Sequence, residues 1–292
     1  MLMEEVYINK KLLWLRKEWN KMPELPEVET VINYLKQEIL GEKILAIDVK
    51  NLKFLKNASL KEFKDQLENK ILKNIFRKGK YLIFVLSNDA YMVSHLRMEG
   101  KYFVDHDLIN RKHDYLIFQL SNNKILSYND SRQFGTFYLT KNLDQLKELN
   151  KIALDPLDED FNLNYLYNKS KKSKKNIKCF LLDQSIVSGI GNIYASEILF
   201  DAKINPLVQA DKLSKEDIQR IINSSQKILK KAIEYNGTTI HTFSFGPNKT
   251  GEFNKFLKVV YREKKNCFNC DYPIKRIKQQ SRSTFYCPKC QK

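Results

Sequence analysis

The chain has 292 residues, 42% of them hydrophobic, with 51 Lys and Arg against 34 Asp and Glu, a formal charge of +17 and a pI near 9.4. That length suffices for two domains with real cores, and no apolar run reaches the ~18 residues that a membrane span needs. The basic balance favours a polyanionic partner, nucleic acid ahead of an anionic membrane surface, although lysine spread through the whole chain accounts for part of it.

The first 21 residues, MLMEEVYINKKLLWLRKEWNK, mix acids and bases and lack a small-residue cleavage site, so they do not read as a signal peptide, and the cytosol is the expected compartment. The stretch NKMPELPEVETV follows. Val28, Val31, Ile32, Leu35 and Ile39 recur at helical spacing, and Gly41 is placed to end that helix. Pro23, Glu24 and Glu27 therefore open a helix, and taken alone the two acids read as favourable N-terminal charge.

Strand-like runs come next: KILAIDVK, NKILKNIF, KYLIFVL, AYMVSHL, DYLIFQL, NKILSYND and GTFYLT. A short helix interrupts them at Ser59, whose spacing to Glu62 fits a capping box. This pattern predicts a mostly antiparallel sandwich. ALDPLDEDF, acidic and proline-bearing, reads as a linker. From about 160 to 236 the pattern is helical, with Ile218, Ile221, Ile222, Leu229 and Ile233 on one side of a long segment capped near Ser214. A polar loop, FSFGPNKTGEF, and short strands around KFLKVVY lead to the cysteines.

Of five cysteines, Cys179 stands alone; Cys267 and Cys270 (CFNC) and Cys287 and Cys290 (CPKC) form two CxxC pairs sixteen residues apart. Each turn can present two thiolates, and a hairpin between them can bring the pairs together on one tetrahedral Zn²⁺. Four soft ligands leave no open position, so the expectation is one structural zinc, with no redox or nucleotide cofactor. Lys275, Arg276, Lys278 and Arg282 give the finger a basic tip.

MPELPEVETV, HLRMEGKY, DSRQFGTF, GIGNIYASE and the finger ending TFYCPKCQK stand in that order. From Met22 to Lys292 the chain resembles the formamidopyrimidine-DNA glycosylases, bacterial enzymes that excise oxidised purines. The resemblance implies an α+β, multidomain fold: a β-sandwich domain with flanking helices, then a helix-two-turn-helix domain ending in a four-cysteine zinc finger. The expected divisions are an extension over 1–21, a catalytic domain over 22–152, a linker over 153–164, the helical domain with a lesion-capping loop over 165–255, and the finger over 256–292. The implied partner is double-stranded DNA with oxidised bases, bound by a monomer in the bacterial nucleoid, with no membrane role.

The resemblance also implies roles. Pro23, as a free N-terminus, would be a secondary amine that attacks the sugar C1′; an α-amino pKa of about 7.7–8.0 leaves a useful neutral fraction. Glu24 would pass a proton to the sugar ring oxygen. Glu27 would hold the damaged base or order water. Lys80 would assist base loss and β-elimination, and Arg282 would grip the flanking phosphates rather than give up a proton. Met98, Arg132 and Phe134 match a wedge that fills the gap left by an everted base. Gln133 stands where many relatives carry a basic residue. His95, His113, Lys174 and Lys178 are expected at phosphates, as is Asn192 at a glycine-opened helix start. The Ser244 carbonyl would read the purine N7 hydrogen.

Two departures stand out. The extension blocks Pro23 unless translation starts at Met22 or the leader is processed. VVYREKKNC is one residue short and lacks a glycine before the finger. Two rivals follow: an endonuclease VIII-like glycosylase for oxidised pyrimidines, which usually opens Pro-Glu-Gly-Pro, and a catalytically silent binder of damaged DNA.

Overall fold

The computed structural model describes residues 22–239, 245 and 250–292. Helix α1 (Leu25–Ile39) opens the described chain, with a Glu24–Glu27 capping box at its start. Its predicted apolar stripe is buried, and Gly41 takes φ +87° just past its end, a conformation that glycine adopts without strain.

Eight strands form two antiparallel four-stranded sheets. The strands β1 (Ile44–Val49), β5 (Lys101–Asp105), β6 (Asp114–Leu120) and β7 (Ile125–Asn129) make one sheet in the order β1-β6-β7-β5. The strands β2 (Leu72–Lys78), β3 (Tyr81–Leu86), β4 (Tyr91–His95) and β8 (Thr136–Thr140) make the other, in the order β2-β3-β4-β8. Their facing side chains form one core with α1 and α2 (Leu60–Leu67), among them Ile47, Phe63, Phe84, Phe118 and Phe137. The predicted capping box at Ser59 is present.

Seven of these strands match the predicted runs; β5 does not appear among them. It lies in KYFVD, directly after the HLRMEG turn, and its register comes from β7, through pairs such as Tyr102 with Tyr128.

After α3 (Lys147–Asn150) the chain turns helical: α4 (Leu163–Lys171), α5 (Ile177–Leu181), α6 (Asn192–Asp201) and α7 (Lys215–Glu234). Ser214 caps α7 as expected. Their apolar faces make a second core, which also contains Leu25 from the first turn of α1. Helix α1 therefore anchors at its start in the helical core and along its length in the sandwich.

The predicted strands around KFLKVVY do not form. Phe253–Phe256 is a single 3-10 turn, and the N–H groups of Lys258, Val259 and Val260 all donate to the buried carboxylate of Glu197, at 2.8, 3.0 and 2.9 Å. Donors used in that way cannot build a ladder. The glycine missing from VVYREKKNC is also felt: Tyr261 and Lys264 adopt φ +60° and +65°. The ordered hairpin comes later, as β9 (Lys275–Gln279) paired with β10 (Arg282–Tyr286).

Candidate functional site at the domain junction

The start of α1 meets the start of α6. Glu24 is 3% exposed. Its Oε2 accepts the N–H groups of Gly191 at 2.9 Å and Tyr194 at 3.3 Å, and its Oε1 accepts that of Ile193 at 3.0 Å. The N–H of Leu25 donates to the Gly189 carbonyl at 3.0 Å. GIGN thus clamps the residue after Pro23 instead of offering an open phosphate seat. This corrects the expected role of that helix start: its N–H groups serve a carboxylate of the same chain. Asn192 remains half-buried beside them, and its Oδ1 is buried without a hydrogen-bond partner.

Glu27 is equally buried, at 3% exposure. Its Oε2 accepts the Glu24 N–H at 3.0 Å; its Oε1 accepts the Tyr194 hydroxyl at 2.7 Å and the Thr238 N–H at 2.6 Å. Burial first, and the neighbouring Glu24 second, raise its pKa to about 7. Thr238 stands at the root of the polar loop, so Glu27 joins the first turn of α1 to that loop. The Glu27 oxygens take three protein donors, two on Oε1 and one on Oε2, which leaves Oε2 one acceptor site for an extruded base or a water. Ser244 lies outside the described residues.

Lys80 follows the β2–β3 turn and is 6% exposed. Burial pushes its ammonium below the usual lysine range; Glu24 and Glu27 pull back, and Arg282 adds to the push. Lys80 is thus within electrostatic reach of both Glu24 and Glu27 and of the exposed Arg282 at the start of β10. Pro23 is buried beside Glu24. His95 ends β4 with its ring edge-on to Tyr81 and its Nδ1 accepting the Arg97 N–H at 2.9 Å. Burial, with Arg97 and Lys80 nearby, lowers its pKa to about 3. The ring is therefore neutral and carries its proton on Nε2.

The wedge residues sit on two turns. Met98 is half-buried in the β4–β5 turn; Phe134 is 51% exposed, with the Arg132 guanidinium 4.9 Å from its ring centre. Asp130, which is fully buried, organises the second turn: Oδ1 accepts the Arg132 N–H at 3.0 Å, and Oδ2 those of Phe134 and Gly135 at 2.9 and 2.8 Å. Gln133 donates to the Tyr115 hydroxyl at 2.6 Å and accepts from Asn51 at 3.1 Å. The same hydroxyl lies 3.3 Å from His113 Nδ1, which ties His113 to the turn.

Lys174 is exposed, but Lys178 is not. Lys178 is wholly buried and donates to the Ser283 carbonyl at 3.0 Å and the Thr284 hydroxyl at 2.9 Å. The expectation that Lys178 shares a DNA-facing surface with Lys174 is corrected: its ammonium fastens α5 to β10. A lysine surrounded by lysines in KSKKSKKNIK gives no sequence signal for burial.

The Sγ atoms of Cys267, Cys270, Cys287 and Cys290 all lie within 4.8 Å of one another, with Cys270 and Cys287 at 3.4 Å and Cys267 and Cys290 at 3.8 Å. A tetrahedron with Zn–S bonds of about 2.3 Å has S···S edges of about 3.8 Å. The donor set and its spacing therefore fit a four-coordinate metal ion. Gln291 braces the second knuckle, accepting the Cys287 N–H at 2.8 Å and donating to the Ile204 carbonyl at 2.9 Å.

Tyr194, Asp130 and Glu197 escaped the sequence reading. Asp130 had a usable signal, since an aspartate bonding the N–H two residues on is an Asx turn. Tyr194 and Glu197 act on partners far along the chain and had none.

Among the described residues no helix is long and apolar enough to cross a membrane. Residues 22–137 match the formamidopyrimidine-DNA glycosylase N-terminal domain, and residues 152–244 match that family's H2TH domain. The formamidopyrimidine-DNA glycosylase of Mycoplasma genitalium is 45% identical over 273 residues, covering 93% of this chain and 96% of that one. That of Ureaplasma parvum is 47% identical over 274 residues, covering 92% and 100%. Among solved structures, a Lactococcus lactis FPG mutant bound to Fapy-dG-containing DNA superposes with a TM-score of 0.86 at 38% identity, over 92% of this chain and 100% of that one. MutM in complex with DNA containing carbocyclic 8-oxo-G superposes with 0.84 at 40% identity, over the same shares. The chain belongs to the formamidopyrimidine-DNA glycosylase family and is a DNA glycosylase with AP-lyase activity.

Proposed function

We propose that this enzyme removes oxidised purines, 8-oxoguanine and formamidopyrimidines, from duplex DNA by covalent catalysis at Pro23, followed by β,δ-elimination. The observation that carries the reading is the junction itself: the residues that open α1 are buried beside Lys80 and Arg282, with Glu24 locked onto the start of α6. The solved relatives bound to Fapy-dG and carbocyclic 8-oxo-G DNA support the substrate class.

The reading takes Pro23 as the terminal residue of the working enzyme. Its neutral secondary amine attacks C1′ and the C1′–base bond breaks; the base leaves with its electron pair and takes up a proton, balanced by the one that the attacking nitrogen gives up. Glu24 delivers a proton to the ring oxygen as the sugar opens, leaving an iminium ion between Pro23 and C1′. That cation acidifies C2′; loss of its proton expels the 3′ phosphate, and a second elimination expels the 5′ phosphate. Lys80, with its lowered pKa, is suited to proton transfer near the sugar, and Arg282 to holding the flanking phosphates. His95 offers a phosphate its Nε2 proton without carrying charge. Lys174, Asn192 and His113 are assigned to the DNA backbone, and Met98, Arg132 and Phe134 to the gap left by the lesion. Glu27 acts in this scheme by fixing Tyr194 and the loop root, and through that loop it shapes the base pocket.

The four cysteines are assigned to one zinc ion. Zn²⁺ there would supply cross-linking alone, because four thiolates close its coordination shell. What this chain's own residues then do is hold the β9–β10 hairpin, and with it Arg282, against α5.

Borohydride trapping tests the reading. A preparation beginning at Pro23 should form a covalent adduct with duplex carrying 8-oxoguanine opposite cytosine. Tight binding without an adduct would identify a silent damage sensor. Preferential cleavage at thymine glycol would identify a pyrimidine-specific enzyme.

A further inference from the structure

The hydroxyl of Tyr128, on β7, lies between the two turns that carry the wedge. Tyr128 is fully buried, and its ring is boxed by Phe54, Tyr102 and Phe137, with centroids 5.7, 5.2 and 4.8 Å away. This packing holds the ring, and with it the buried oxygen, in one place. There it meets the backbone of both turns. A Cβ at Gly100, the residue that closes the Met98 turn, would lie 2.3 Å from that oxygen. A Cβ at Gly135, which closes the Arg132–Phe134 turn, would lie 1.8 Å from it. Neither position has room for any side chain. The hydroxyl also reaches Asp130 Oδ2 at 3.5 Å, the oxygen that accepts the Phe134 and Gly135 N–H groups. One oxygen atom is thus in contact with the last residue of each turn and adjacent to the carboxylate that shapes the second.

We propose that Tyr128 is a positioning residue that sets the separation of the two wedge turns, so that Met98 and Phe134 enter DNA as one unit. The inference rests on the reading of Met98 and Phe134 as the wedge. Tyr128 is too deeply buried to touch DNA itself, and it acts only through the turns. Without the hydroxyl, the turns keep their own internal bonds but lose their common stop. Each apolar tip is then free to settle independently, and displacement of a contact by about 1 Å is enough to lower a rate as much as 100-fold.

The test is a double-mutant cycle on the rate of 8-oxoguanine excision from duplex. Met98→Ala and Phe134→Ala are made singly and together, in the native background and in the Tyr128→Phe background. Residues that act as a unit are non-additive, so in the native background the double variant should be slower than either single variant by less than about 3-fold. In the Tyr128→Phe background the two effects should multiply. Tyr128→Phe alone should slow excision about 10-fold while leaving strand cleavage at a preformed abasic site within about 2-fold, since no base needs everting there. Asp130→Asn, which weakens the second turn alone, provides a further variant. If Met98→Ala and Phe134→Ala each leave excision at the native rate, the wedge reading fails. If each slows excision but their non-additivity survives in Tyr128→Phe, or if abasic-site cleavage falls in parallel with excision, the positioning role fails.

Discussion

The side chain of Glu24 occupies the space that any side chain at Gly191 would need. A Cβ there would lie 2.3 Å from Glu24 Cδ, and the Gly191 N–H donates to Glu24 Oε2 at 2.9 Å. Glycine is required at this point by close approach, and the carboxylate is held only as well as that approach allows. Gly191→Ala should push Glu24 off the start of α6 and with it the residue bonded to Pro23. The expected outcome is a loss of about 100-fold in single-turnover base excision. DNA affinity should change by less than about 3-fold, since no phosphate contact is removed. A variant with native excision would show that Glu24 works without this clamp.

Lys178 separates a structural lysine from a DNA-binding one. Its bond to Thr284 continues through the Thr284 hydroxyl to Gln279, and from the Gln279 amide to the Pro206 carbonyl. This polar chain runs from α5 into the finger hairpin, where Thr284 stands two residues from Arg282 on the same strand. Lys178→Met keeps the volume and removes the donor. Unfolding by denaturant should register a loss of about 1–3 kcal/mol. A phosphate contact predicts something else: the slope of log affinity against log salt would fall by about 1. We expect that slope to be unchanged for Lys178→Met and reduced for Lys174→Ala.

The sandwich strands other than β5, the apolar face of α1, the cap of α7 and the four-cysteine cluster were legible because each is a local pattern. Alternation, helical spacing, Ser-x-x-Asp and CxxC are all written within a few residues. What was illegible is what buried polar side chains do at long range. Glu197 takes donors from residues 61 to 63 positions further on, and in doing so it replaces the strand expected at KFLKVVY with a turn. Glu24 reaches 167 residues to Gly191 and converts an expected phosphate seat into an internal cap. Lys178 is read as solvated by every local rule and is buried by the arrival of β10. The site residues that motif order brought together do cluster, at Glu24, Glu27, Lys80 and Arg282, but Tyr194, which holds Glu27, lies too far along the chain to be read; Asp130, under the wedge turn, left only its local Asx signal.

Metal content bears on the finger. One zinc ion per chain is the expected result of atomic emission on folded protein. Stripping it with a thiol-reactive mercurial should release the β9–β10 hairpin, whose small apolar cluster of Ile274, Phe285 and Val259 is a minor core by itself. Arg282 leaves its place beside Lys80, so strand cleavage should fall by at least about 100-fold. The sandwich, whose core shares none of these residues, should keep its cooperative unfolding. Full activity in metal-free protein would remove zinc from the account.

Glu27 gives the junction a pH signature. Its folded pKa of about 7 lies above the ordinary 4.5. Between those values the folded chain holds a proton that the unfolded chain has lost, so stability from this group rises as pH falls from about 7 toward 4.5. Above pH 7 the carboxylate is ionised within the fold and its desolvation is fully felt. His95 works in the opposite sense, because its folded pKa of about 3 lies below the ordinary 6.5, and its contribution is lost as pH falls below 6.5. The two windows overlap, so total stability against pH cannot assign either group. The difference between native protein and Glu27→Gln can. Gln cannot ionise, and the His95 contribution cancels in the subtraction. Going from pH 8 to pH 5, the native protein should gain about 2–3 kcal/mol relative to Glu27→Gln, measured from urea unfolding at each pH. A difference that stays flat across that range would mean that Glu27 titrates alike in the folded and unfolded chains. Its bonds to Tyr194 and Thr238 would then have to hold the ionised form as well as water does.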